Sequence, residues 1–462
     1  MDFNCFSKLN LNNNLLNNLK NLSLNKMTEI QSKSLKDIIQ GRDVLAQAKT
    51  GSGKTLAFAL GILNKIKTDN KKTQSLVLCP TRELAQQVAN EIRKLARTTE
   101  NVKVLELCGG TPFTPQKISL EFGAHCIVGT PGRVFDHLKR NTFNCKFIET
   151  FVLDEADRML DMGFHECLTE ILKYLPSKRQ TLLFSATYPS NIENLSNNIQ
   201  KNVKIIKVES QTNDKQDIDE IFYKVSKNSK NIHTVNILNS YKPESCIIFC
   251  NTKEEVKALN VFLNKKSFSS LAIHGDLNQK EREETLVLFK NQSCSILIAT
   301  DVAARGIHID NLNMVINYDL SKDPHNHIHR IGRTGRAGQK GLAVNLYSES
   351  ESFKKDQIEK TTKNSAKEKN IKDIELNNKS LLKAPMISFR IENGKKNKLR
   401  PTDILGALTA QKLLSGSDVG RINIFDFHSF VAIKREKENI AEKLLSNYPI
   451  KGRFLKTKKV FS

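Results

Sequence analysis

The sequence contains no long apolar run, since none of its uninterrupted apolar stretches approaches the roughly 18 residues that a membrane-spanning helix needs. Its start, Met1-Asp2-Phe3-Asn4, lacks a basic segment leading into an apolar one, so no secretory signal is predicted. The nine cysteines are scattered and include no Cys-x-x-Cys pair, which favours buried free thiols over a metal site. Together these absences predict a cytoplasmic protein that contacts no membrane.

Acidic residues are also few relative to basic ones. Lys and Arg number 72 and Asp and Glu 49, which gives the 462-residue chain a formal net charge of +23. A solvated basic surface is one interpretation of this excess, and nucleic-acid binding is the other. Residues 384–462 carry 9 of the net positive charges, whereas the first 350 residues carry only 11. A distinct basic module is therefore predicted at the C-terminal end.

Residues 1–208 alternate short β-branched runs with longer helical patterns, which predicts βαβ units and a parallel sheet with helices on both faces. Leu15, Leu19 and Leu22 fall on one helix face and predict a short helix that packs on this domain. A polar stretch at 209–217 is predicted to be a linker, and the same alternation then resumes over 218–350. The chain is thus expected to contain two α/β domains in tandem.

The last part of the chain has a different pattern. Residues 351–383 are rich in Lys, Glu and Asn and predict a charged connector, either a solvated helix or a flexible segment. Residues 384–462 predict a small α+β domain with the order βαββαβ, which many RNA-recognition domains share. Its elements are predicted as strand 386–392, helix 402–414, strands 421–425 and 429–434, helix 437–446 and strand 452–458.

A glycine-rich loop lies between a strand-like and a helical run. It consists of Ala48, Lys49, Thr50, Gly51, Ser52, Gly53, Lys54 and Thr55. Glycines allow the backbone N–H groups to curl around phosphate oxygens, with Lys54 expected on the β- and γ-phosphates and Thr55 on Mg²⁺. A bare Gly-Lys-Thr occurs often by chance, but its position between a strand and a helix favours a nucleotide site.

Two further segments have the chemistry that such a site needs. The apolar run 151–153 ends in Asp154-Glu155-Ala156-Asp157, where Asp154 would hold Mg²⁺ and Glu155 would orient or deprotonate the attacking water. An acidic helix N-terminus is the simpler interpretation, but it would leave Lys54 and Thr55 without a metal partner. Residues 329–336 hold three arginines in a domain without its own phosphate loop, which fits an arginine-finger donor. Taken alone, such a run is more often a basic surface loop or a contact to the phosphate backbone.

These motifs, with others in the same order along the chain, resemble the DEAD-box family of ATP-dependent RNA helicases. The further matches are Phe6, Thr28-Glu-Ile-Gln31, Pro80-Thr-Arg-Glu-Leu84, Gly109-Gly110, Thr130-Pro-Gly-Arg133, Ser185-Ala-Thr187, Gln279 with Arg282, Thr300-Asp301 and His329–Arg336. The resemblance implies two RecA-like lobes that close together on ATP and single-stranded RNA. It also implies that the core binds phosphate and sugar and is nearly blind to base sequence.

The resemblance assigns roles to individual residues. Phe6 and Gln31 would select adenine, Gly306 would lie among the nucleotide contacts, and Ser185 and Thr187 would couple the ATP site to unwinding. Arg333 and Arg336 would stabilise charge on the transferring phosphoryl group. The implied RNA contacts are Thr81, Arg82, Gly110, Thr130 and Arg133 in the first lobe and Thr252, Gln279, Thr300 and Arg305 in the second.

The last 79 residues are similar to the RNA-binding domain of the DbpA subfamily. In that subfamily the domain recognises a hairpin of large-subunit ribosomal RNA and directs the helicase to ribosome assembly. Its third strand has Ile433 where an aromatic residue is expected, so base stacking on the sheet is not predicted. Lys434, Lys451 and Arg453 are the remaining candidates for RNA contact.

Two other departures from the family pattern concern the nucleotide. Leu24 replaces the aromatic residue often found upstream of Gln31, and His308 replaces an Asp. The sequence therefore predicts an ATP- and Mg²⁺-dependent RNA helicase, acting as a monomer on ribosomal RNA and pre-ribosomal particles. An ATP-gated RNA clamp with little unwinding and a DNA translocase are the alternatives.

Overall fold

The computed structural model describes residues 5–48, 51–188, 190–208, 218–304, 312–335, 340–362, 367–374 and 383–460. They form two compact units, residues 5–208 and residues 218–460. The predicted linker at 209–217 lies outside the described residues. Within the described ranges, no helix is both long enough and apolar enough to cross a bilayer.

The first unit, called the first lobe, is built on a seven-stranded sheet whose paired strands are all parallel. Its strands are β1 (Val44–Gln47), β2 (Ser75–Leu78), β3 (Val104–Leu107), β4 (Cys126–Gly129), β5 (Thr150–Leu153), β6 (Gln180–Ser185) and β7 (Lys204–Lys207). The spatial order is β3-β4-β2-β5-β6-β1-β7. Most of these strands are buried along their whole length, as parallel strands covered on both faces must be.

Nine helices of the described first lobe accompany this sheet. They are α1 (Asn13–Asn21), α2 (Glu29–Ile39), α3 (Lys54–Lys65), α4 (Arg82–Leu95), α5 (Phe113–Glu121), α6 (Pro131–Lys139), α7 (Ala156–Asp161), α8 (His165–Tyr174) and α9 (Ser190–Ile199). Successive residues of β1 point to opposite faces, so Val44 and Ala46 join one apolar cluster and Leu45 joins another. The sheet therefore separates two hydrophobic cores, as the sequence alternation predicts.

The short helix predicted near the N-terminus is confirmed as α1. Leu15 and Leu19 are buried on its inner face, and the Asn12 side chain caps it by accepting a hydrogen bond from the backbone N–H of Leu15. The buried amide of Asn18 donates to the carbonyls of Lys94 and Leu95 at the end of α4. These contacts attach α1 to the first lobe.

The second lobe, residues 218–374 as far as they are described, repeats the parallel-sheet design. Its strands are β8 (Ile218–Lys224), β9 (Cys246–Cys250), β10 (Ser270–Ile273), β11 (Ile296–Thr300), β12 (Met314–Asn317), β13 (Gly341–Tyr347) and β14 (Lys367–Lys369), in the order β10-β11-β9-β12-β13-β8-β14. Its helices are α10 (Lys230–Tyr241), α11 (Lys253–Lys265), α12 (Gln279–Lys290), α13 (Asp301–Ala304), α14 (Pro324–Ile331) and α15 (Ser352–Thr362).

The described part of the predicted connector belongs to this lobe. It contributes α15, in which Ile358 is buried, and the edge strand β14, which pairs with β8. Lys367 is ion-paired with Asp219, and the Tyr347 hydroxyl donates to Glu368. The three side chains of β14 are all exposed, so its sequence lacks the apolar alternation that marks a strand.

The tail domain, residues 383–460, has the predicted βαββαβ order. Its elements are β15 (Met386–Ile391), α16 (Pro401–Thr409), β16 (Val419–Ile424), β17 (Ser429–Lys434), α17 (Glu438–Asn447) and β18 (Thr457–Val460), and its antiparallel sheet has the order β16-β17-β15-β18. The last strand begins later than the predicted residue 452 because Ile450 and Arg453 pair with each other in a tight turn.

Gly61 in the middle of α3 allows that helix to pack closely on α2. A Cβ atom built at Gly61 would lie 2.2 Å from Cγ2 of the buried Ile38. Alanine normally stabilises a helix interior by about 1 kcal/mol relative to glycine. At this position we expect Gly61→Ala instead to lower the free energy of unfolding by about 1–3 kcal/mol, because the extra carbon overpacks the contact.

The matched control is Gly406→Ala in α16, where nothing lies within 4 Å of the added carbon. Denaturant unfolding followed by circular dichroism should show the two substitutions shifting stability in opposite directions. A gain in stability for Gly61→Ala would contradict the close α2–α3 packing.

Candidate nucleotide and RNA sites

The predicted site residues of the first lobe lie along the carboxyl edge of its sheet, in two groups. Loops that follow the adjacent strands β3, β4 and β2 carry the predicted RNA contacts Gly110, Thr130 and Thr81. Loops that follow β5, β6 and β1 carry the predicted ATP and coupling residues. Ligands of open parallel sheets bind at this edge. The strand order thus places the predicted RNA contacts, called the RNA half, beside the predicted ATP and coupling residues, called the nucleotide half.

The described part of the phosphate loop has the backbone curl that the sequence predicts. Gly51 and Gly53 have φ values of 83° and 92°, in the left-handed region that favours glycine. Gly53 is the N-cap of α3, and the buried Lys54 ammonium donates a hydrogen bond of 2.6 Å to the Ala48 carbonyl. Thr55 is partly buried in the first turn. Lys49 and Thr50, predicted in the same loop, lie outside the described residues.

Gln31 contacts the phosphate loop directly. Its amide nitrogen donates to the Gly53 carbonyl at 3.0 Å, and the Thr28 hydroxyl donates to the Ser52 carbonyl at 2.7 Å. A Cβ atom at Gly53 would lie 2.3 Å from the Gln31 amide nitrogen. Gly53 is therefore required both for its backbone angle and for this close approach. A residue predicted to sense adenine is in this way joined to the loop predicted to hold phosphate.

Phe6 is placed differently from Gln31. Its side chain is only 3% exposed and belongs to the apolar cluster that also contains Leu11 and Met27. Leu24, which stands at the position of the expected aromatic residue, packs at the margin of the same cluster. The role of Phe6 in adenine recognition remains a prediction, and its ring contributes to the core of the first lobe.

The acidic motif lies directly after β5. The backbone N–H of Asp154 donates to the Leu78 carbonyl on the neighbouring strand, and Asp154 is 3% exposed. Glu155 adopts φ 54° at the N-cap of α7, a conformation that costs energy for a residue other than glycine and is common at functional sites. The guanidinium of buried Arg158 pairs with its carboxylate at 2.8 Å. Arg158, for which the sequence interpretation gave no role, thus fixes Glu155.

Asp157 connects the acidic motif to the predicted coupling residues. One of its carboxylate oxygens accepts hydrogen bonds from the backbone N–H and the hydroxyl of Thr187, both at 2.9 Å. Ser185 donates to the Thr187 carbonyl, and the Ser185 carbonyl accepts from the N–H of Ala48. Although burial opposes ionisation, the charge of Lys54 and the Thr187 bonds hold the pKa of Asp157 below its usual value.

The environment of Asp154 fits a bound cation. Burial and then the neighbouring charge of Glu155 raise the pKa of Asp154 to about 7, so its carboxylate lacks sufficient positive compensation. The Asp154 carboxylate and the Thr55 hydroxyl are hard oxygen donors of the kind that Mg²⁺ prefers. The described residues contain no group of three His, Cys, Asp or Glu side chains that could hold a metal ion. Mg²⁺ would therefore be held largely by phosphate oxygens and water.

The RNA half of the first lobe brings its predicted residues together. Thr81 caps α4 by accepting from the Leu84 N–H, and Arg82 begins that helix. A Cβ atom at Gly110 would lie 1.8 Å from the Arg82 guanidinium, so the absence of a side chain there makes room for the arginine. Thr130 is the N-cap of α6, which carries Arg133 in its first turn.

The second lobe has the same distribution along its sheet. Thr252 follows β9 and caps α11, Gln279 opens the helix after β10, and Thr300 ends β11. These strands are adjacent in the order β10-β11-β9. The Arg282 guanidinium donates to the Ala303 carbonyl at 2.7 Å and so connects α12 to α13. Arg305, the fourth predicted RNA contact of this lobe, lies outside the described residues.

Of the two predicted arginine fingers, Arg333, which follows α14, lies among the described residues. Arg333 is 7% exposed, whereas Arg336 and Gly306 lie outside the described residues. Arg330 is almost fully buried, and its guanidinium pairs with Asp301 and donates to Asn317 and to the Asp319 carbonyl. In the sequence Arg330 stands out only as one of three clustered arginines, since nothing local indicates its distant partners.

The open face of the tail sheet packs against the second lobe. Ser388, Phe430 and Ala432 lie opposite the face that carries the tail's apolar core, yet they are fully buried. The Ser388 hydroxyl is 2.8 Å from the hydroxyl of buried Ser293, and Arg390 pairs with Glu284 of α12 at 3.7 Å. The second lobe covers this face in the structure, and the absence of base stacking on the sheet stays a prediction of the sequence.

The tail domain exposes a different surface, called the loop end, formed by residues 394–400, 425–428 and 450–454. Main-chain N–H groups of Lys395 and Lys396 donate to the carbonyls of Phe425 and Asp426, and the Lys451 ammonium donates to the Lys398 carbonyl. The loop end includes Lys451 and Arg453 but not Lys434, which lies at the far end of β17 and pairs with Asp418.

Two exposed aromatic residues on the loop end were not identified from the sequence. Phe427 and Phe454 are 69% and 72% exposed. They lie among exposed basic side chains, namely Lys395, Lys396, Lys398, Arg400, Lys451 and Arg453. Nucleic-acid surfaces commonly combine aromatic rings with basic residues.

Comparison with known families gives three matches along the chain. Residues 28–195 match the DEAD/DEAH box helicase family, and residues 227–338 match the helicase conserved C-terminal domain. Residues 388–459 match the DbpA RNA binding domain. The matches cover both lobes and the tail domain.

Two curated relatives are similar over nearly their whole length. The ATP-dependent RNA helicase DbpA of Escherichia coli (strain K12) is 44% identical over 446 residues, which is 95% of each chain. The protein of the same name from Bacillus subtilis (strain 168) is 34% identical over 474 residues, covering 98% of this chain and 99% of that protein.

Two solved structures have a similar fold over about four fifths of this chain. S. cerevisiae Dbp5 bound to RNA and ADP BeF3 gives a TM-score of 0.72 at 31% identity, covering 80% of this chain and 96% of that chain. Mss116p bound to ssRNA and AMP-PNP gives a TM-score of 0.69 at 28% identity, covering 78% and 77% respectively.

The raised pKa of Asp154 predicts a gain in stability when its charge is removed. Because the pKa is about 7 in the folded state and roughly 4 in the unfolded chain, the folded state loses stability as pH rises through this interval. In metal-free and nucleotide-free protein near pH 8, Asp154→Asn should raise the thermal midpoint by roughly 2–4 °C.

The gain should shrink toward about pH 5, where the native carboxyl is already protonated. Asp136→Asn on the surface of α6 is the control and should show no such pH-dependent gain. An unchanged or lower midpoint for Asp154→Asn near pH 8 would refute the unfavourable burial of this charge.

Proposed function

Because the chain belongs to the DEAD-box ATP-dependent RNA helicases, in the DbpA subfamily, we propose that it unwinds short RNA duplexes locally during ribosome assembly. It is an RNA-stimulated ATPase and RNA helicase. The proposed target is large-subunit ribosomal RNA in pre-ribosomal particles. A cytoplasmic location and a monomeric state remain predictions of the sequence.

The observation that carries this proposal is the division of the first sheet's carboxyl edge into two adjacent halves. β5, β6 and β1 position Asp154, Ser185 and Ala48, whereas β3, β4 and β2 position Gly110, Thr130 and Thr81. β2 and β5 are neighbours, so the two halves meet within one sheet. This arrangement favours an enzyme in which RNA binding and ATP binding influence each other.

The proposed chemistry assigns one task to each nucleotide-site residue. Lys54 binds the β- and γ-phosphates, and Thr55 and Asp154 hold the Mg²⁺ that accompanies ATP. When bound, Mg²⁺ would neutralise part of the negative charge of the ATP phosphates. Glu155, fixed by Arg158, orients or deprotonates the water that attacks the γ-phosphate. Arg333 and Arg336 stabilise the charge that develops on the transferring phosphoryl group.

The tail domain is proposed to choose the RNA. Its sheet face is covered by the second lobe, and its loop end exposes six basic side chains with Phe427 and Phe454. Phosphates would contact the basic groups, and unpaired bases of a hairpin loop would stack on the rings. Lys451 and Arg453 belong to this surface, which makes them stronger candidates than Lys434.

An ATP-gated RNA clamp with little unwinding is the second candidate. The capping of α12 by Asn278 and the Arg282–Ala303 bond give the second lobe a rigid RNA-facing helix, which suits a clamp as well as a helicase. Comparing strand displacement with ATP hydrolysis on the same duplex separates the two. Hydrolysis without displacement would favour the clamp.

Substitutions at Lys54 and Glu155 should separate ATP binding from hydrolysis. We expect Lys54→Ala to weaken ATP binding because it removes the phosphate-binding charge. Glu155→Gln should keep binding but lower the RNA-stimulated rate by about a hundredfold or more, because it removes the base that acts on water. Phosphate release and binding of a fluorescent ATP analogue measure the two steps.

The control is Lys173→Ala on the exposed surface of α8, which should leave both measurements unchanged. RNA-stimulated phosphate release at the wild-type rate in both site variants would refute the proposed ATP site.

If the loop end selects the RNA, removing its aromatic rings should reduce the preference for one RNA hairpin over another. Phe427→Ala together with Phe454→Ala should reduce by about tenfold the preference for a large-subunit ribosomal hairpin over an unrelated hairpin of equal length. ATPase stimulation by the two hairpins measures this preference. Both rings are exposed, so the thermal midpoint should not change.

Leu413→Ala is the matched control, because Leu413 is 58% exposed but follows the opposite end of α16. Unchanged discrimination in the double phenylalanine variant would show that the loop end does not select the RNA.

A further inference from the structure

Gln116 on α5 is a buried polar residue that contacts two segments of the RNA half of the first lobe. It is 9% exposed, and its amide group makes four hydrogen bonds. The nitrogen donates to the Cys108 carbonyl at 3.0 Å and to the Thr111 hydroxyl at 2.6 Å. The oxygen accepts from Nη1 of Arg133 at 2.8 Å and from Nε2 of His137 at 3.0 Å. All donors and acceptors of one side chain are thus used.

The four partners belong to two different segments. Cys108 and Thr111 flank the glycine turn at Gly109 and Gly110, which follows β3. Arg133 and His137 lie one turn apart on α6, which follows β4. The Arg133 guanidinium also donates to the Thr111 carbonyl at 3.1 Å. Gln116 therefore adds side-chain hydrogen bonds between two predicted RNA-contact segments, which follow the paired strands β3 and β4.

The ring of His137 completes this connection. His137 is fully buried and stacks on Phe113 with 4.1 Å between ring centroids. Burial, and then the positive charge of Arg133, lower the pKa of His137 to about 4, so the imidazole is neutral at ordinary pH. Because the Gln116 oxygen can only accept, the proton of the neutral ring lies on Nε2, and Nδ1 lies 2.8 Å from the Thr142 hydroxyl.

We propose that Gln116 is a positioning residue that holds Arg133 and the Gly110 turn at a fixed separation, so that both meet phosphates of the same RNA strand. This inference rests on the proposed function, which assigns RNA contact to Arg133 and Gly110. A long arginine side chain loses conformational freedom when it binds a phosphate. Holding one guanidinium nitrogen in advance reduces that loss while Arg133 stays partly exposed to RNA.

The experiment is a double-mutant cycle on the full-length protein with Gln116→Met, Arg133→Ala and the combined variant. The readout is the concentration of single-stranded RNA that gives half-maximal ATPase stimulation. We expect each single substitution to raise this concentration by about three- to tenfold, with the maximal rate nearly preserved. In the Arg133→Ala background, Gln116→Met should add less than about a twofold change.

A fluorescent ATP analogue in the absence of RNA should bind all these variants equally, and Gln40→Met on the exposed end of α2 is the matched control. Gln116→Asn is a second variant in case methionine unfolds the lobe. It keeps the amide but is one carbon shorter, so it cannot reach both segments and should give the same loss of RNA affinity.

Three results would overturn the inference. Normal RNA dependence in both Gln116 variants would show that the connection is unnecessary. If the combined variant raised the half-maximal RNA concentration by the product of the two single-variant factors, Gln116 would act independently of Arg133. Normal RNA dependence in Arg133→Ala would remove the premise, and the failure would then lie in the RNA contact assigned under the proposed function.

Discussion

The nucleotide site depends on the buried carboxylate of Asp157. One of its oxygens accepts from the N–H of Ala186 and from both donors of Thr187, and the other accepts from the N–H of Arg158. It therefore joins the acidic motif after β5 to the end of β6. Because the Ser185 carbonyl in turn accepts from Ala48, the same chain of bonds reaches the phosphate loop. A displacement of any one of the three loops therefore disturbs hydrogen bonds that it shares, directly or through its neighbour, with the other two.

This arrangement gives a physical basis for coupling between ATP and RNA. The loops of the nucleotide half and the RNA half leave one parallel sheet, most of whose strands are buried along their whole length. Within each half, side-chain hydrogen bonds supplement the backbone pairing between strands, as those of Gln116 to Arg133 and of Gln31 to Gly53 do. Energetic coupling of this kind is reciprocal, so each ligand must affect the other equally.

Much of the fold and of the nucleotide site can be predicted from sequence because the signals are local. The strand Cys246–Cys250 and the phosphate loop are contiguous segments whose residue types match their structure. Long-range contacts have no such signal. Ser293 and Ser388 are 95 residues apart, and Gln116 and His137 are 21 apart. The strand β14 is not predicted because main-chain pairing with β8 forms it, while its side chains remain exposed.

The most direct test of the account is the mutual dependence of the two ligands in the wild-type protein. The dissociation constant of a fluorescent, non-hydrolysable ATP analogue should be measured with and without saturating single-stranded RNA, and that of RNA with and without the analogue. Each ligand should lower the dissociation constant of the other by the same factor, about tenfold or more. Equal dissociation constants with and without the second ligand would contradict an RNA-coupled ATPase.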